Sequence, residues 1–233
     1  VYASTNALSI ASGRVSFALG LQGPVVIVHC FTAKWGTTGP ARDRLYAFDK
    51  ITGELVWYST PGTVPDDSSF SMPVYATIDG HRVGYTGHGC GNISSVDMRT
   101  GKPLWRFQFA KGGVNSQIIK YREDKLIAIH GKENIDTTAK GRLICLKVPT
   151  EYNPGKPAIL PASSELWRNE EHVAFTSSPT LVGNRVYTTI ATGELLCVDA
   201  ETGNSLWKKK LGPDQLHASP AYGDGKLYVP LAD

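Results

Sequence analysis

The chain has 233 residues, of which 41% are apolar, and its formal net charge is only +3. A chain of this size can form one large domain with a substantial core. So small a charge, with no long basic or acidic run, argues against nucleic acid or an anionic membrane as a partner. The longest apolar runs, such as residues 24–28, are far too short to span a bilayer, so no transmembrane segment is predicted.

Residues 45–57 are the first of several segments that combine an apolar strand, a tight turn and a second strand containing Trp. The pattern returns along the chain with Asp, Gly and Trp at unchanged offsets. The repeated residues are Asp49, Gly53 and Trp57, then Asp97, Gly101 and Trp105, and finally Asp199, Gly203 and Trp207. Before the last copy, Trp167 keeps its place while Lys147 replaces the Asp. The proline-rich stretch 148–164 stands where the turn would be, so we predict a loop there.

Two further strands precede each of these segments, so the repeating unit has four strands. Each unit opens with a short marker such as Ser71-Met72-Pro73, followed by an apolar strand, a polar turn, a second strand and a variable loop. The predicted units cover residues 7–59, 71–109, 115–169 and 177–211, and the start of a fifth covers 217–233. Repeats of roughly 40 to 50 residues with four strands are typical of propeller blades. The sequence therefore predicts an all-β fold, a β-propeller of four-stranded antiparallel blades that forms a single, incomplete domain over residues 1–233.

The repeated residues have a structural interpretation. A turn Asp accepts backbone N–H groups, a Gly tolerates positive φ, and a Trp at one fixed place in every unit packs between neighbouring blades. The competing interpretations are a row of catalytic or metal-binding carboxylates, and Trp rings that stack on a cofactor. A Trp that occurs once in each unit cannot form the floor of one central site, so we favour the structural roles.

The Asp-x-x-Thr-Gly-x-x-x-Trp pattern, first seen from Asp49 to Trp57, resembles the repeat of PQQ-like (quinoprotein alcohol dehydrogenase-like) β-propellers, including their tryptophan-docking position. The resemblance covers nearly the whole chain. It implies a ring of seven or eight blades and an exported protein, so a periplasmic or extracellular location is expected. It also implies two classes of function, namely PQQ-dependent dehydrogenases that use Ca²⁺ and non-catalytic scaffolds.

Function is expected in the loops that break the repeat, because propeller ligands bind at a face of the ring or in its channel. The loops between the second and third strands of the units emerge on one face. In unit one this loop is predicted to run over residues 20–42, with an inner apolar strand at 25–28. The binding-face candidates on these loops are Trp35, His88, Asn92, His130, Lys132, Glu133 and Asn134.

Two groups on these loops have metal-binding chemistry, with ordinary loop packing as the competing interpretation. His88 and Cys90 could bind a soft metal, but the pair is a poor motif by itself. His130, Glu133 and Asp136 could supply a base and oxygen ligands for Ca²⁺. Neither spacing is specific, so no metal site is predicted.

The chain has four cysteines and no Cys-x-x-Cys pair. Cys145 and Cys197 occupy one repeat position and are predicted to be buried in strands. A disulfide bond between Cys30 and Cys90 remains open, because sequence alone cannot fix connectivity.

The strong structural repeat and the lack of an enzyme signature predict a non-catalytic scaffold that binds a protein or a ligand, with no cofactor and no catalytic residue. The dehydrogenases of the resembling family have an adjacent Cys-Cys pair over the quinone, which this chain lacks. The alternative is a PQQ- and calcium-dependent alcohol or sugar dehydrogenase whose site is completed by other blades. An accessory domain of a hydrolase or lyase is a third interpretation.

The expected partner is another protein or further blades of a longer parent chain. The sequence starts with Val1 and shows no signal peptide, and residues 227–233 read as a strand cut off at its turn. Four and a half units do not close a ring, so we expect the parent protein to supply the missing blades.

Overall fold

The computed structural model describes residues 16–22, 24–32, 42–214 and 216–231, and the structural statements below concern these residues. They contain nineteen strands and one turn of 3-10 helix, Ala162–Ser164. The strands are β1 (Ser16–Gln22), β2 (Val25–Thr32), β3 (Arg42–Asp49), β4 (Leu55–Ser59), β5 (Val74–Ile78), β6 (His81–Gly87), β7 (Asn92–Asp97), β8 (Pro103–Gln108), β9 (Ile119–Arg122), β10 (Lys125–Glu133), β11 (Lys140–Lys147), β12 (Ala158–Ile159), β13 (Glu165–Asn169), β14 (Thr180–Val182), β15 (Arg185–Thr189), β16 (Glu194–Asp199), β17 (Ser205–Lys210), β18 (Ala221–Gly223) and β19 (Lys226–Tyr228).

The strands form four consecutive antiparallel sheets, which we call the first to fourth blades. Their strand orders are β1-β2-β3-β4, β5-β6-β7-β8, β9-β10-β11-β13 and β14-β15-β16-β17, and the hairpin β18-β19 follows. Within each blade the strands pair in the order in which they follow along the chain, as expected when short turns join β-branched and aromatic strands. The predicted fold class, an all-β chain of four-stranded antiparallel blades, is confirmed.

The first blade differs from its predicted outline. We expected residues 20–42 to be a long loop with a short inner strand at 25–28, whereas Val25–Thr32 is the second strand of the blade. It pairs with β1 on one side, where Gln22 lies opposite Val25, and with β3 on the other, where Val25 lies opposite Asp49. The prediction was wrong because the apolar run at 25–28 was assigned to an insertion rather than to the repeat. The remaining loop, 33–41, lies outside the described residues.

The proline-rich stretch 148–164 is mainly a loop, as predicted, but it contains one short strand that was not expected. β12 runs parallel to β8, with Ala158 opposite Trp105, and the N–H of Leu160 donates to the carbonyl oxygen of Arg106 at 2.9 Å. The outer edge of β8 offers unpaired backbone groups, which an extended segment can satisfy despite its prolines. The stretch thereby covers the outer edge of the second blade.

The repeated Asp residues accept backbone hydrogen bonds inside their turns. The Oδ1 atom of Asp49 accepts the N–H groups of Ile51 and Thr52, both at 2.8 Å. Corresponding bonds join Asp97 to residues 99 and 100, and Asp199 to residues 201 and 202. The backbone N–H groups of Thr52 and Ile51 lower the pKa of the partly exposed Asp49 carboxyl, since they stabilise its ionised form.

The core lies mainly between neighbouring blades. Separate buried clusters fill the spaces between the first and second, the second and third, and the third and fourth blades. Trp105 belongs to the second of these and packs beside Tyr85, with ring centroids 5.7 Å apart. In the described part of the chain, no helix has the length and apolarity needed to cross a membrane.

Candidate functional site

Buried polar side chains concentrate where the second strand of a blade ends and the third begins. Asp43 lies at the start of β3, six positions before the turn residue Asp49. The other three blades have glycine at this position, namely Gly91, Gly141 and Gly193. These glycines have φ values of 77°, 80° and 78°.

The glycine positions are also sterically closed, because an added Cβ would lie within 2.6 Å of a backbone carbonyl oxygen at each of them. Asp43 is not among the residues with positive φ. The first blade therefore has a different local backbone conformation at this position. It places a carboxylate where the glycines of the other three blades have only a hydrogen atom.

The Asp43 carboxylate is bound by two histidines and one backbone group. Its Oδ1 atom lies 2.6 Å from Nε2 of His29 and 3.1 Å from Nδ1 of His88, while the N–H of Gly89 donates to Oδ2 at 2.6 Å. His29 comes from β2 and His88 directly follows β6, so the cluster joins the first and second blades. All three side chains are buried.

Hydrogen-bond chemistry fixes where His29 carries a proton. Its Nδ1 atom lies 2.9 Å from the carbonyl oxygen of Ser71, which can only accept, so Nδ1 is the donor. Burial alone would lower the pKa of His29, but the carboxylate of Asp43 outweighs burial and raises that pKa above its usual value. Burial would likewise raise the pKa of Asp43, but His29 and His88 hold it well below its usual range.

His88 continues the network to Ser94. Its Nδ1 faces Asp43, and its Nε2 lies 2.7 Å from Oγ of Ser94. The order carboxylate, imidazole and hydroxyl is that of a hydrolytic triad. Ser94, however, lies in the middle of β7, with Thr86 and Arg106 opposite it on the two neighbouring strands, and its side chain is fully buried. The hydroxyl therefore acts as a hydrogen-bond partner within the sheet and not as a nucleophile.

The cysteines take no part in this network. The Sγ atom of Cys90 accepts hydrogen bonds from Asn92 Nδ2 at 3.0 Å and from the N–H of Thr63 at 3.3 Å. All four cysteines are free and buried, so the alternative of a Cys30–Cys90 bridge is not realised. Burial, with a smaller effect of the Asp43 charge, raises the pKa of Cys30 to about 11.

His130 occupies in the third blade the position that His88 has in the second. It is fully buried, its Nδ1 accepts the N–H of Lys132 at 3.1 Å, and the ring of Phe109 meets it edge-on at 4.5 Å. Burial, and then the nearby Arg142 charge, lower the pKa of His130 to about 4. Among the described residues, its Nε2 atom and Oδ1 of Asn134 have no hydrogen-bond partner.

The predicted group of His130, Glu133 and Asp136 does not converge on one point. Asp136 pairs with Arg142, and also with Arg168 at 2.9 Å. A hydrogen bond from Arg142, opposed by some burial, lowers the pKa of Asp136 to about 2. Glu133 pairs instead with Lys140 at 3.1 Å. The carboxylates serve local cations, so this set does not fit the Ca²⁺ that accompanies PQQ.

The other candidates divide into buried and surface groups. Asn92 and Asn134 are buried, whereas Glu133 is exposed and Lys132 is partly exposed and pairs with Asp67 at 2.5 Å. Trp35 lies outside the described residues. The structure brings His88 to His29 and Asp43, two residues that the sequence analysis did not single out. The available signal was the aspartate that replaces the glycine of the other blades.

The sequence profile of one protein family, described as outer membrane protein assembly factor BamB, matches residues 41–151 and 158–233. Among curated proteins, the tetrathionate hydrolase of Acidithiobacillus ferrooxidans is 21% identical over 211 residues, which cover 89% of this chain and 39% of the hydrolase.

Solved structures share the fold. The quinohemoprotein alcohol dehydrogenase of Comamonas testosteroni has a TM-score of 0.64 and 18% identity, covering 94% of this chain and 44% of that protein. BamB of Moraxella catarrhalis has a TM-score of 0.54 and 16% identity, covering 95% of this chain and 57% of that protein. The chain thus spans roughly two fifths to three fifths of the length of these relatives. Identities this low establish the fold alone.

Proposed function

We propose that this chain, which belongs to the family described as outer membrane protein assembly factor BamB, a family of PQQ-like β-propellers, is part of a non-catalytic scaffold that binds a protein partner. The observation that carries this proposal is the segment joining β10 to β11, residues 134–139, which we call the β10–β11 loop. It combines an exposed apolar residue with a base that is held by ion pairs and hydrogen bonds.

The exposed surface of the loop carries an apolar side chain that is flanked by two residues of opposite charge. Ile135 is 44% exposed, and the exposed pair of Glu133 and Lys140 stands at the two ends of the loop. Mixed apolar and charged surfaces of this kind suit a protein interface whose centre excludes water and whose rim remains polar.

The base of the loop is held by a buried cation. Arg142 is only 2% exposed, and its Nε donates to Oε1 of Glu170 at 2.9 Å while Nη2 bonds Asp136. Asn134 donates to Thr137 at 3.2 Å and to the carbonyl oxygen of Gly141 at 3.3 Å. A loop ordered before binding loses less conformational entropy when a partner docks, which favours affinity.

The remaining candidates have different roles under this proposal. Four buried candidates support the binding surface from the interior of the protein, namely His88, Asn92, His130 and Asn134. Lys132 and Glu133 contact the partner beside Ile135. Trp35 remains a proposed contact residue, since aromatic side chains are frequent anchors of interfaces. The partner is another protein or further blades of the parent chain, and not nucleic acid.

Co-purification of the intact parent protein with its partner tests the proposal. Ile135→Asp is expected to reduce the recovered partner at least tenfold, because it places a charge at the centre of the contact. Ile159→Asp is the matched control, since Ile159 is 68% exposed on the outer edge of the second blade and should not affect recovery. Equal recovery with both variants would remove the loop from the interface.

A PQQ- and calcium-dependent alcohol or sugar dehydrogenase is the second candidate, favoured by the fold shared with the quinohemoprotein alcohol dehydrogenase. In the described part of the chain, the Asp136 and Glu133 carboxylates are paired with cations and do not fit its Ca²⁺. Dye-linked oxidation of alcohols and sugars by the parent protein, after addition of PQQ and Ca²⁺, separates the two candidates. Robust turnover would contradict the non-catalytic assignment.

We also propose a periplasmic or extracellular location, on family resemblance. Fractionation of cells that express the parent protein tests it, and recovery only with cytoplasmic markers would contradict it.

A further inference from the structure

We propose that His29, Asp43 and His88 bind one divalent transition-metal ion of the zinc class between the first and second blades. The inference does not depend on the proposed function. The three residues offer ligand atoms that all lie within 4.8 Å of one another, and all three are buried. They come from β2, the start of β3 and the turn after β6, so the ion would join two blades.

The separations suit a tetrahedral ion after a small adjustment. Zinc binds imidazole nitrogen and carboxylate oxygen at roughly 2.0–2.2 Å, which places neighbouring ligand atoms of a tetrahedron about 3.4 Å apart. Oδ1 of Asp43 now lies 2.6 Å from Nε2 of His29 and 3.1 Å from Nδ1 of His88. The ion therefore requires the carboxylate oxygen to move about 1 Å or less from each ring nitrogen, and the two nitrogens, which lie within 4.8 Å of each other, to stand about 3.4 Å apart.

Each ligand is already oriented by an outer hydrogen bond. Nδ1 of His29 donates to the carbonyl oxygen of Ser71 at 2.9 Å, and Oδ2 of Asp43 accepts the N–H of Gly89 at 2.6 Å. Nε2 of His88 lies 2.7 Å from the Ser94 hydroxyl. Metal-binding histidines and carboxylates use their second polar atom in this way, which fixes the ring tautomer and the direction of the metal-facing lone pair.

The pairing of His29 with Asp43 itself requires a cation. Because Nδ1 of His29 already donates to Ser71, its Nε2 atom and Oδ1 of Asp43 present lone pairs to each other in the neutral imidazole form. Protonation of the His29 ring would satisfy only this contact between His29 and Asp43. A divalent cation would bind both atoms of this pair and His88 as well. The ring of His88 stands edge-on to that of His29, with their centroids 5.5 Å apart.

The ligand set selects the class of ion. Two imidazoles and one carboxylate suit zinc and its borderline neighbours, whereas Ca²⁺ and Mg²⁺ prefer oxygen ligands. Three protein ligands leave the fourth position of a tetrahedral ion for water. Because the ligands are buried and come from two blades, we assign the ion a structural role.

Metal content and binding are measured on the purified, folded parent protein. After removal of metal with a chelator, the chain is titrated with Zn²⁺ in a calorimeter and with Co²⁺ as a spectroscopic probe. We expect one ion per chain, a higher melting temperature with Zn²⁺, and the visible absorption of tetrahedral Co²⁺. A folded wild-type chain that binds neither ion at micromolar concentration would overturn the proposal.

Three variants and a control separate the site from adventitious binding. Asp43→Asn and His88→Gln should abolish the Co²⁺ spectrum, and Ser94→Ala should weaken zinc binding about 10–100-fold through the lost outer hydrogen bond. His130→Gln changes a buried histidine at the equivalent position of the next blade and should bind zinc like the wild type. Unchanged binding by folded Asp43→Asn, or equal loss in His130→Gln, would assign the metal to another place.

Discussion

The indole N–H of Trp57 donates a hydrogen bond to the carbonyl oxygen of Met98, which lies 3.2 Å away in the next blade. The same ring lies against Gly101, where a Cβ atom would come within 2.7 Å of Cε3. Trp167 repeats both contacts with Ala200 and Gly203 of the fourth blade. One blade thus supplies the Trp and the next supplies the glycine, so two parts of the repeat meet across each of these junctions.

Replacement of Gly101 by alanine is expected to destabilise the chain by two separate effects. Gly101 has a φ of 75°, which costs an alanine about 1–2 kcal/mol. Displacement of the Trp57 ring adds about 1–3 kcal/mol. Gly80→Ala is the matched control, because its φ is 76° but nothing lies within 4 Å of the added Cβ. Denaturant unfolding measures both variants, and equal losses would show that the ring contact contributes nothing.

In a protein limited to residues 1–233, where no complete blade follows the fourth, truncation of Trp57 is expected to cost more than the same change at Trp207. Trp57 is 9% exposed and Trp207 is 44% exposed, so their side chains remove different areas from water. We expect about 3–5 kcal/mol for Trp57→Ala, as for other buried aromatic residues, and roughly half of that or less for Trp207→Ala. The free energies of unfolding of the two variants test this order, and a larger loss at Trp207 would contradict it.

The stability of the chain is expected to depend on pH through His130. Its pKa is about 4 when folded and near 6.5 when unfolded, so the unfolded chain binds more protons between these values. The stabilising effect of the neutral ring is complete above pH 6.5 and is lost as pH falls towards 4. The free energy of unfolding falls by about 3 kcal/mol over this range.

His130→Gln removes this group and should flatten the dependence of unfolding free energy on pH between about 4 and 6.5. Denaturant melts at several pH values compare the variant with the wild type. An unchanged slope in the variant would assign the dependence to other groups.

Removal of the Arg142 charge is expected to loosen the β10–β11 loop. Arg142→Met removes the buried cation that Asp136 and Glu170 share, which costs about 1–3 kcal/mol, because both carboxylates are partly exposed and Arg168 still pairs with Asp136. Lys140→Met is the control, because its pair with Glu133 is exposed on both sides and should contribute less than about 1 kcal/mol. Amide hydrogen exchange over residues 134–139 measures the effect, and equal protection in the two variants would refute the supporting role of Arg142.

The sequence was sufficient to predict the blades because the constraint that defines them is local. Asp49, Gly53 and Trp57 are fixed by one turn and the strand after it, and copies of that pattern reveal the period. The outline of the first blade was less accurate, since nothing in the apolar run 25–28 distinguishes an inserted strand from a strand of the repeat.

The buried histidine cluster was beyond sequence reasoning because its members meet only when two blades pack. His29 looks like a polar interruption of an apolar strand, and His88 was considered with its near neighbour Cys90. Only Asp43 carried a signal, because it replaces the positive-φ glycine of the other blades. Comparison of equivalent positions across the repeat would have singled it out.

The acidic residues at the β10–β11 loop do not form the calcium site that was considered, and the reason is electrostatic. Glu133 and Asp136 were considered as calcium ligands, but each has a cation at its side, Lys140 or Arg142. A carboxylate that is neutralised locally has less to gain from a distant metal. The sequence spacing gave no indication of which cation each would find.

Site-specific photo-crosslinking tests the proposed scaffold function most directly. A photoreactive side chain is placed at position 135 of the intact parent protein, and in a second sample at position 159, and both are irradiated in cells that contain the natural partners. We predict one discrete protein adduct from position 135 and none from position 159. The absence of an adduct at 135, or the same adduct at both positions, would contradict a partner-binding role for the β10–β11 loop.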